Sequence, residues 1–365
     1  MSYRIPSPPP SLEELAQRQQ NVVTASQLRA RGVPARVITE HCRRGGPWQR
    51  LLPRVYLLQS GEPTPEQRMW AALLYAAQNG REEGRREGAV ITGTAALALY
   101  GFATVPRLPA VTGVDVLVPR QRRLKDVGEV RIRRTERELE ARSVHGLACA
   151  PVARAVADAL LEWTAQPGGD AAPVRAVLRE AVARTGGGRT EVGRSEVGRT
   201  AAGRIAAGRT GSGRAEGRCT VRELAAELAD CGLTAEPRVR AALDELLAAE
   251  RDFVRQELRA LADRWELPAS LEAPELRMRG GTYIAVPDLY WPRHGVAVEV
   301  DSDLRCVSEG EAAWVRGGQH RMEYLGIRVV YVSGARLAAD PEAVREELCE
   351  AHRVGGTDVV ELLVV

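Results

Sequence analysis

The stretch VPDLYWPRHGVAVEVD, residues 286–301, sets three acidic residues among apolar ones. Because side chains along a strand alternate between its two faces, the valines of residues 295–301 are predicted to face one way, and Glu299 and Asp301 the other. Unpaired buried carboxylates are costly, so a face that carries two of them needs a cation or another strong partner. With Asp288 just upstream, the pattern predicts a divalent metal site, and Mg²⁺ is the ion that such oxygen ligands favour.

The residues around this stretch predict a strand-rich C-terminal unit of the α/β sandwich type. The turn Arg279-Gly280-Gly281 joins two short apolar segments and indicates a hairpin. Upstream, residues 237–265 are typical of a helix, with a break expected near Ala249. The predicted elements after the hairpin are a strand at 295–301, a helix at 309–325, a strand at 326–332 and a helix at 341–352.

The segment Asn21–Leu58 has the order helix, tight turn, helix and hairpin, which is typical of a winged helix-turn-helix. It holds seven arginines against the single acidic residue Glu40, and such a basic unit can neutralise DNA phosphates. The alternative is a solvated basic face with no ligand. The candidate nucleic-acid-binding residues are Arg29, Arg36, Arg43, Arg44, Arg50 and Arg54.

Residues 188–217 repeat Gly-Arg every five positions, a period that fits neither a helix nor a strand. Their composition predicts a disordered loop, whose arginines either add non-specific affinity for nucleic acid or are simply tolerated at a surface. Upstream of the repeat, no residues have catalytic spacing. Asp158, on a mainly apolar helix, is interpreted as a cap or an ion-pair partner.

The bulk composition, 44% hydrophobic and 27% charged, is that of a globular protein. There is no apolar run of about 18 residues and no signal-peptide core near Met1–Pro10, so a cytoplasmic protein without membrane contact is expected. The six cysteines lack zinc-site spacing. Residues 189–218, in the Gly-Arg repeat, hold seven arginines and three glutamates, a charge of +4 that exceeds the net charge of +3, so total charge gives no argument for nucleic acid.

Two segments, VPDLYWPRHGVAVEVDSD (286–303) and QHRMEYLGIRVVYVS (319–333), resemble restriction-endonuclease-like domains. The relatives are those of the very-short-patch-repair (Vsr) endonucleases, within the PD-(D/E)XK superfamily. PWQRLLPRVYLL (47–58) and VITGTAALALYGF (90–102) are similar to AbiEi-type antitoxins of abortive-infection systems. Those proteins carry a winged helix and act as transcriptional autorepressors.

The nuclease resemblance implies that Asp288, Glu299 and Asp301 bind Mg²⁺, and that His320 and Arg321 serve proton transfer or phosphate contact. The usual lysine of the motif is replaced by Asp301, and a histidine frequent in relatives is replaced by Cys306. A glutamate expected in the preceding helix does not line up; Glu250 and Glu257 straddle its position.

Two functions follow from these resemblances. The first is a Mg²⁺-dependent DNA endonuclease in phage defence or repair. The second is an AbiEi-type antitoxin or transcriptional regulator with a catalytically degenerate nuclease domain and a nucleotidyltransferase-like toxin as its partner. A serine hydrolase is disfavoured, because no G-x-S-x-G occurs.

The predicted fold class is α+β multidomain, with a winged helix-turn-helix, a central α/β region and a restriction-endonuclease-like α/β sandwich. The predicted divisions are a winged helix-turn-helix at 1–60, an AbiEi-like α/β region at 61–184, a disordered Gly-Arg repeat at 185–218, a helical connector at 219–248 and a Vsr-like endonuclease domain at 249–365.

Overall fold

The computed structural model describes residues 11–77, 88–165, 168–183, 219–300, 309–354 and 362–364. The chain divides into two compact units, Met1–Glu236 and Pro237–Val365. Both contain helices and sheets, which confirms the α+β multidomain class. None of the helices in the described ranges combines the length and the apolar character required to cross a bilayer.

The first unit begins with three short helices and a three-stranded antiparallel sheet in the order β1-β3-β2. Thr24 starts α2 with a capping box, accepting from the Gln27 backbone while the Gln27 side chain accepts from the Thr24 backbone. The two predicted helices and the hairpin are confirmed, whereas α1 and β1 were not predicted. The elements are α1 (Leu12–Arg18), β1 (Val22–Thr24), α2 (Ala25–Ala30), α3 (Ala35–His41), β2 (Gln49–Leu52) and β3 (Val55–Leu57).

The rest of this unit contains a five-stranded mixed sheet in the order β6-β5-β4-β8-β7. Asp158 is an ion-pair partner, as predicted, since it accepts from Arg154 and from Thr92. The elements are α4 (Pro65–Ala77), β4 (Val90–Thr92), α5 (Gly93–Leu99), β5 (Val114–Pro119), β6 (Val130–Thr135), β7 (Arg142–Val144), β8 (Leu147–Cys149), α6 (Val152–Trp163), α7 (Ala172–Val182) and α8 (Val221–Asp230), with short 3-10 helices at Leu108–Ala110 and Leu233–Ala235.

Helices α7 and α8 meet at the two ends of the segment 184–218. The Cys219 backbone N–H donates to the Ala181 carbonyl at 3.0 Å, and the Cys219 thiol donates to the same oxygen at 3.5 Å. Thr220 then starts α8 with a capping box to Glu223. The predicted Gly-Arg loop itself lies outside the described residues.

The second unit holds a four-stranded sheet in the order β14-β13-β12-β9 and a three-stranded sheet in the order β11-β10-β15. In the first sheet, β13 pairs antiparallel with β12 and parallel with β14. The elements are α9 (Pro237–Arg264), β9 (Leu271–Glu272), β10 (Leu276–Met278), β11 (Tyr283–Ala285), β12 (Leu289–Trp291), β13 (Val296–Val300), α10 (Glu309–Tyr324), β14 (Arg328–Val332), α11 (Gly334–Ala339), α12 (Pro341–Val354) and β15 (Leu362–Val364).

Helix α9 corrects one sequence-based expectation. It runs unbroken through Ala249, so the break expected there is wrong. The domain boundary predicted between residues 248 and 249 lies inside this helix, whereas the division into two units falls between Glu236 and Pro237. The predicted hairpin is confirmed as β10 and β11, while β9, β12, α11 and β15 were not predicted.

The strand β13 separates two apolar clusters, one on each side of the sheet. One cluster contains Val296, Val298 and Val300 together with residues of α9, α11 and α12. The other contains Ala297 with Tyr290 of β12 and Met322 of α10. The predicted alternation of faces is therefore confirmed across the described part of this strand.

β14 is the outermost strand on its side of the four-stranded sheet. Its first residue, Arg328, is exposed, and Arg336 of α11 donates to the Tyr331 carbonyl at 3.1 Å.

Candidate functional site

Asp288 and Glu299 lie at the same end of the β12–β13 pair in the second unit. In the antiparallel pairing of β12 and β13, Leu289 lies opposite Val298, and the Asp288 N–H donates to the Val298 carbonyl at 2.9 Å. Asp288 precedes Leu289 and Glu299 follows Val298 in the sequence. Both residues are buried, with 0% and 2% exposure. Two of the three predicted metal ligands are therefore buried at one end of this strand pair.

The Asp288 carboxylate is held through both of its oxygens. Oδ1 accepts from Nε of Arg251 at 2.7 Å, and Oδ2 accepts from the backbone N–H of Val300 at 2.8 Å. The Arg251 side chain is 31% exposed, so its guanidinium reaches from the surface of the unit to a fully buried acid. Each oxygen of the buried Asp288 carboxylate therefore has a hydrogen-bond donor. The hydrogen bond from Arg251 is charge-assisted and directional.

Arg251 was missed by sequence reasoning, although a signal for it exists in α9. Val254, Leu258 and Ala262 form the buried stripe of this helix against the sheet. Arg251 precedes Val254 by three residues, so it lies on the same side of α9, one turn before the apolar stripe. The helix therefore delivers an arginine to the site where the nuclease resemblance implies a glutamate.

The two glutamates considered for that place lie elsewhere. Glu257 is exposed. Glu250 is half-buried beside Gly334, at the start of α11. Arg328 of β14 lies at the other end of β13, opposite Val296.

Two further predicted site residues, His320 and Arg321, lie on α10. His320 is 79% exposed on α10, and its Nδ1 lies 3.7 Å from a carboxylate oxygen of Glu323. Arg321 donates from Nε and from one terminal nitrogen to the Ile284 carbonyl, at 3.0 and 2.9 Å. Asp301 and Cys306 lie outside the described residues. Close to Glu299, Tyr331 is half-exposed, and burial together with the carboxylates of Glu323 and Glu299 raises its pKa.

The described donors do not fit a Mg²⁺ site. A divalent cation at Asp288 would need carboxylate oxygens that already accept from Arg251 and Val300, and it would lie against the positive guanidinium. Within the ranges that the structure describes, no three His, Cys, Asp or Glu side chains form a group able to hold a metal ion.

The six candidate nucleic-acid-binding arginines are all exposed. Arg36 lies in the first turn of α3, and Arg50 and Arg54 lie on the β2–β3 hairpin. Within the described chain, none of the six forms an ion pair with a carboxylate. Their positive charge is therefore available to a ligand.

The helices and hairpin that carry these arginines are fixed to one another. The Ala25 N–H donates to the Arg54 carbonyl at 2.9 Å, which joins the start of α2 to the hairpin turn. The Trp48 N–H donates to the His41 carbonyl at 3.1 Å, and their rings stack edge-on at 4.4 Å. Leu15, Val23, Leu28 and Ile38 form a core beneath them. The arginines are therefore presented by one rigid unit.

The first unit also has a cleft of about 800 Å³ between the β6–β7 segment, the start of α6 and helix α8. Arg137 in its wall donates to both carboxylate oxygens of Glu227, at 2.7 and 2.6 Å. Arg154 lies 3.5 Å from the same carboxylate. Arg137 also lies 3.5 Å from Asp230, and Arg154 pairs with Asp158, so both arginines of the cleft wall have carboxylate partners.

No protein-family model matches the chain. No curated protein matches it either. Among solved structures, the crystal structure of the RV2827C protein from Mycobacterium tuberculosis is similar over 64% of this chain and 74% of that chain, with 16% sequence identity and a TM-score of 0.37. A TM-score this low carries no argument about fold or function, so the functional conclusion depends on the residues of this chain.

Proposed function

We propose that this protein is a DNA-binding regulator, and that the segment from α1 to β3 is a winged helix-turn-helix that docks on duplex DNA. The observation that carries the proposal is the set of six exposed arginines, free of carboxylate partners among the described residues, on α2, α3, their flanking turns and the β2–β3 hairpin. A helix-turn-helix places its second helix in the major groove while neighbouring basic residues contact the backbone. In this arrangement α3 enters the groove and Arg50 and Arg54 contact phosphates.

The competing function is Mg²⁺-dependent hydrolysis of DNA at Asp288, Glu299, Asp301 and His320, as the nuclease resemblance implies. The Arg251–Asp288 pair weighs against it, because the guanidinium occupies a carboxylate oxygen that the metal would need. A regulator with a degenerate nuclease domain accommodates both the basic N-terminal unit and this ion pair.

The test is fluorescence anisotropy of the full-length protein on two labelled duplexes, one from upstream of its own gene and one of scrambled sequence. We expect binding to both, tighter on the upstream duplex, and affinity that falls as salt rises. Arg36→Ala and Arg50→Ala should each weaken binding and reduce the slope of log affinity against log salt by about 1.

The matched control is Arg353→Ala, which removes an exposed arginine from α12 and should leave binding unchanged. The proposal is overturned by an absence of binding at low salt, or by variants of Arg36 and Arg50 that bind as the parent does. Nicking of supercoiled plasmid in Mg²⁺, lost in Glu299→Gln, would favour the competing nuclease.

A further inference from the structure

We propose that the loop between β5 and β6, residues 120–126, is a second phosphate-binding surface, which contacts the same duplex beside the part bound by the winged helix. This inference rests on the proposed DNA binding and extends it, because the loop lies outside the segment from α1 to β3. The loop contains three arginines and the only lysine of the chain, against the single acid Asp126.

Three positive side chains at this loop have no carboxylate partner among the described residues. Arg123 and Lys125 are exposed, and their side chains make no hydrogen bond within the described ranges. Arg134 of β6 is also exposed, and it donates to the carbonyls of Arg122 and Leu124, which leaves its charge uncancelled. Exposed cations of this kind are the groups that neutralise DNA phosphates.

The other charges of the loop are engaged. Arg120 pairs with Glu136 at the surface. The Asp126 carboxylate accepts from the Ile132 N–H at 2.8 Å. The charges that the loop offers to a ligand are therefore those of Arg123 and Lys125.

Hydrogen bonds hold the loop in place before any ligand binds. Nε of Arg134 donates to the Arg122 carbonyl at 3.1 Å, and the Arg122 guanidinium donates to the Ala76 carbonyl of α4 at 2.8 Å. With the bond from Ile132 to Asp126, both ends of the loop are fixed. A preorganised surface loses less conformational freedom on binding than a flexible one.

Helix α4 connects this loop to the winged helix. Near the start of α4, Nε2 of Gln67 donates to the Gln20 carbonyl at 3.0 Å, and near its end the Tyr75 hydroxyl donates to the Lys125 carbonyl at 2.9 Å. Gln67 and Tyr75 are eight residues apart, which is about 12 Å along a helix. One turn of duplex DNA is about 34 Å long, so a single duplex is long enough to contact both surfaces.

The experiment is fluorescence anisotropy of the full-length protein on the upstream and scrambled duplexes at several salt concentrations. The variant is Arg123→Ala with Lys125→Ala, which removes two exposed side chains without hydrogen-bond partners in the described chain. The matched control is Arg123→Lys with Lys125→Arg, which keeps both charges. A contact that depends on charge tolerates this exchange.

We expect the alanine variant to melt with the parent and to bind both duplexes more weakly by the same factor, so that the preference for the upstream duplex is unchanged. The loss of two phosphate contacts should reduce the slope of log affinity against log salt by about 1.8. The affinity difference between parent and variant should therefore shrink about 12-fold between about 50 and 200 mM salt. If the alanine variant is unfolded, Arg123→Ala and Lys125→Ala are measured singly, and each should reduce the slope by about 0.9.

The control with exchanged charges should bind as the parent does, and with duplex in excess each chain should bind at most one duplex. Three results would overturn the inference. They are an alanine variant with the salt slope of the parent, a loss of binding that the control shares, and two duplexes bound per chain.

This failure is distinct from that of the proposed function. If Arg36→Ala and Arg50→Ala weaken binding and the loop variant does not, only the role of the loop is refuted. If Arg36→Ala and Arg50→Ala bind as the parent does, the winged-helix proposal is refuted, and an absence of all DNA binding at low salt refutes both.

Discussion

Removal of residues 184–218 should leave the first unit folded and make it more stable. The segment leaves α7 after Ala183 and returns at Cys219, whose backbone N–H donates to the Ala181 carbonyl at 3.0 Å. With a Gly-Gly linker between Ala183 and Cys219, that donor lies five residues after the acceptor. This is the separation of the 6→1 hydrogen bond that commonly ends a helix. The shortened chain therefore keeps the observed contact without rearranging α7 or α8.

The size of the effect follows from loop-closure entropy. The segment has 35 residues, and its composition predicts an open loop. The entropic free-energy cost of closing such a loop is larger than that of closing a two-residue link. The difference is about 2.5 kcal/mol, taking (3/2)RT ln n for each loop. For a unit of this size that corresponds to a rise in melting temperature of about 5 °C.

Differential scanning calorimetry of the parent and the deletion variant measures this rise. A same-length variant with the arginines of the repeat changed to serine is the control, and its melting temperature should match the parent. A deletion variant that is unfolded, or that melts several degrees below the parent, would refute the reasoning. It would mean that α7 and α8 depend on contacts made by the deleted residues.

Three further predictions concern individual side chains. Gly334→Ala would place its Cβ 2.8 Å from a methyl of Val254, so overpacking should cost about 1–3 kcal/mol in urea unfolding, whereas Gly280→Ala, with open space at its Cβ, should be close to neutral. Leu28→Ala empties a fully buried position in the N-terminal core; it should cost about 3 kcal/mol and weaken DNA binding although no arginine is changed, and full binding in this variant would argue against a rigid DNA-binding unit. Burial, outweighing the Leu348 carbonyl and aided by His294, lowers the pKa of His352 from 6.5. The unfolded chain therefore takes up the proton first, and the stability present above about pH 6.5 is lost as the pH falls through the folded pKa. His352→Phe should lose less stability than the parent between about pH 7.5 and 5.5, and equal losses would contradict the assignment.

The α+β class and the packing of residues 296–300 could be predicted because their signals are local. The alternation of side chains over Val296–Val300 determines which of them share a face of the strand. A capping box involves only four consecutive residues, so the ones that begin at Thr24 and Thr220 identify the starts of two helices from local sequence. The strand β1, at three residues, is too short to show a period.

The partner of Asp288 could not be predicted in this way. Arg251 lies 37 residues from Asp288 in the sequence, and it reaches the acid only because the apolar stripe of α9 docks on that part of the sheet. The charge of this residue is also opposite to the one expected, since the nuclease resemblance implies a glutamate in this helix and the structure has Arg251 there. The toxin partner, the cytoplasmic location and the roles of Asp301 and His320 stay predictions.

The outer edge of β14 has a consequence for the behaviour of the protein at high concentration. An outermost strand offers its free backbone groups to any other chain, and such edges seed aggregation. Here the exposed charge of Arg328 and the hydrogen bond from Arg336 to the Tyr331 carbonyl obstruct the addition of a further strand. In the part of the chain that the structure describes, the β14 edge is thereby protected by two arginines against the addition of another strand.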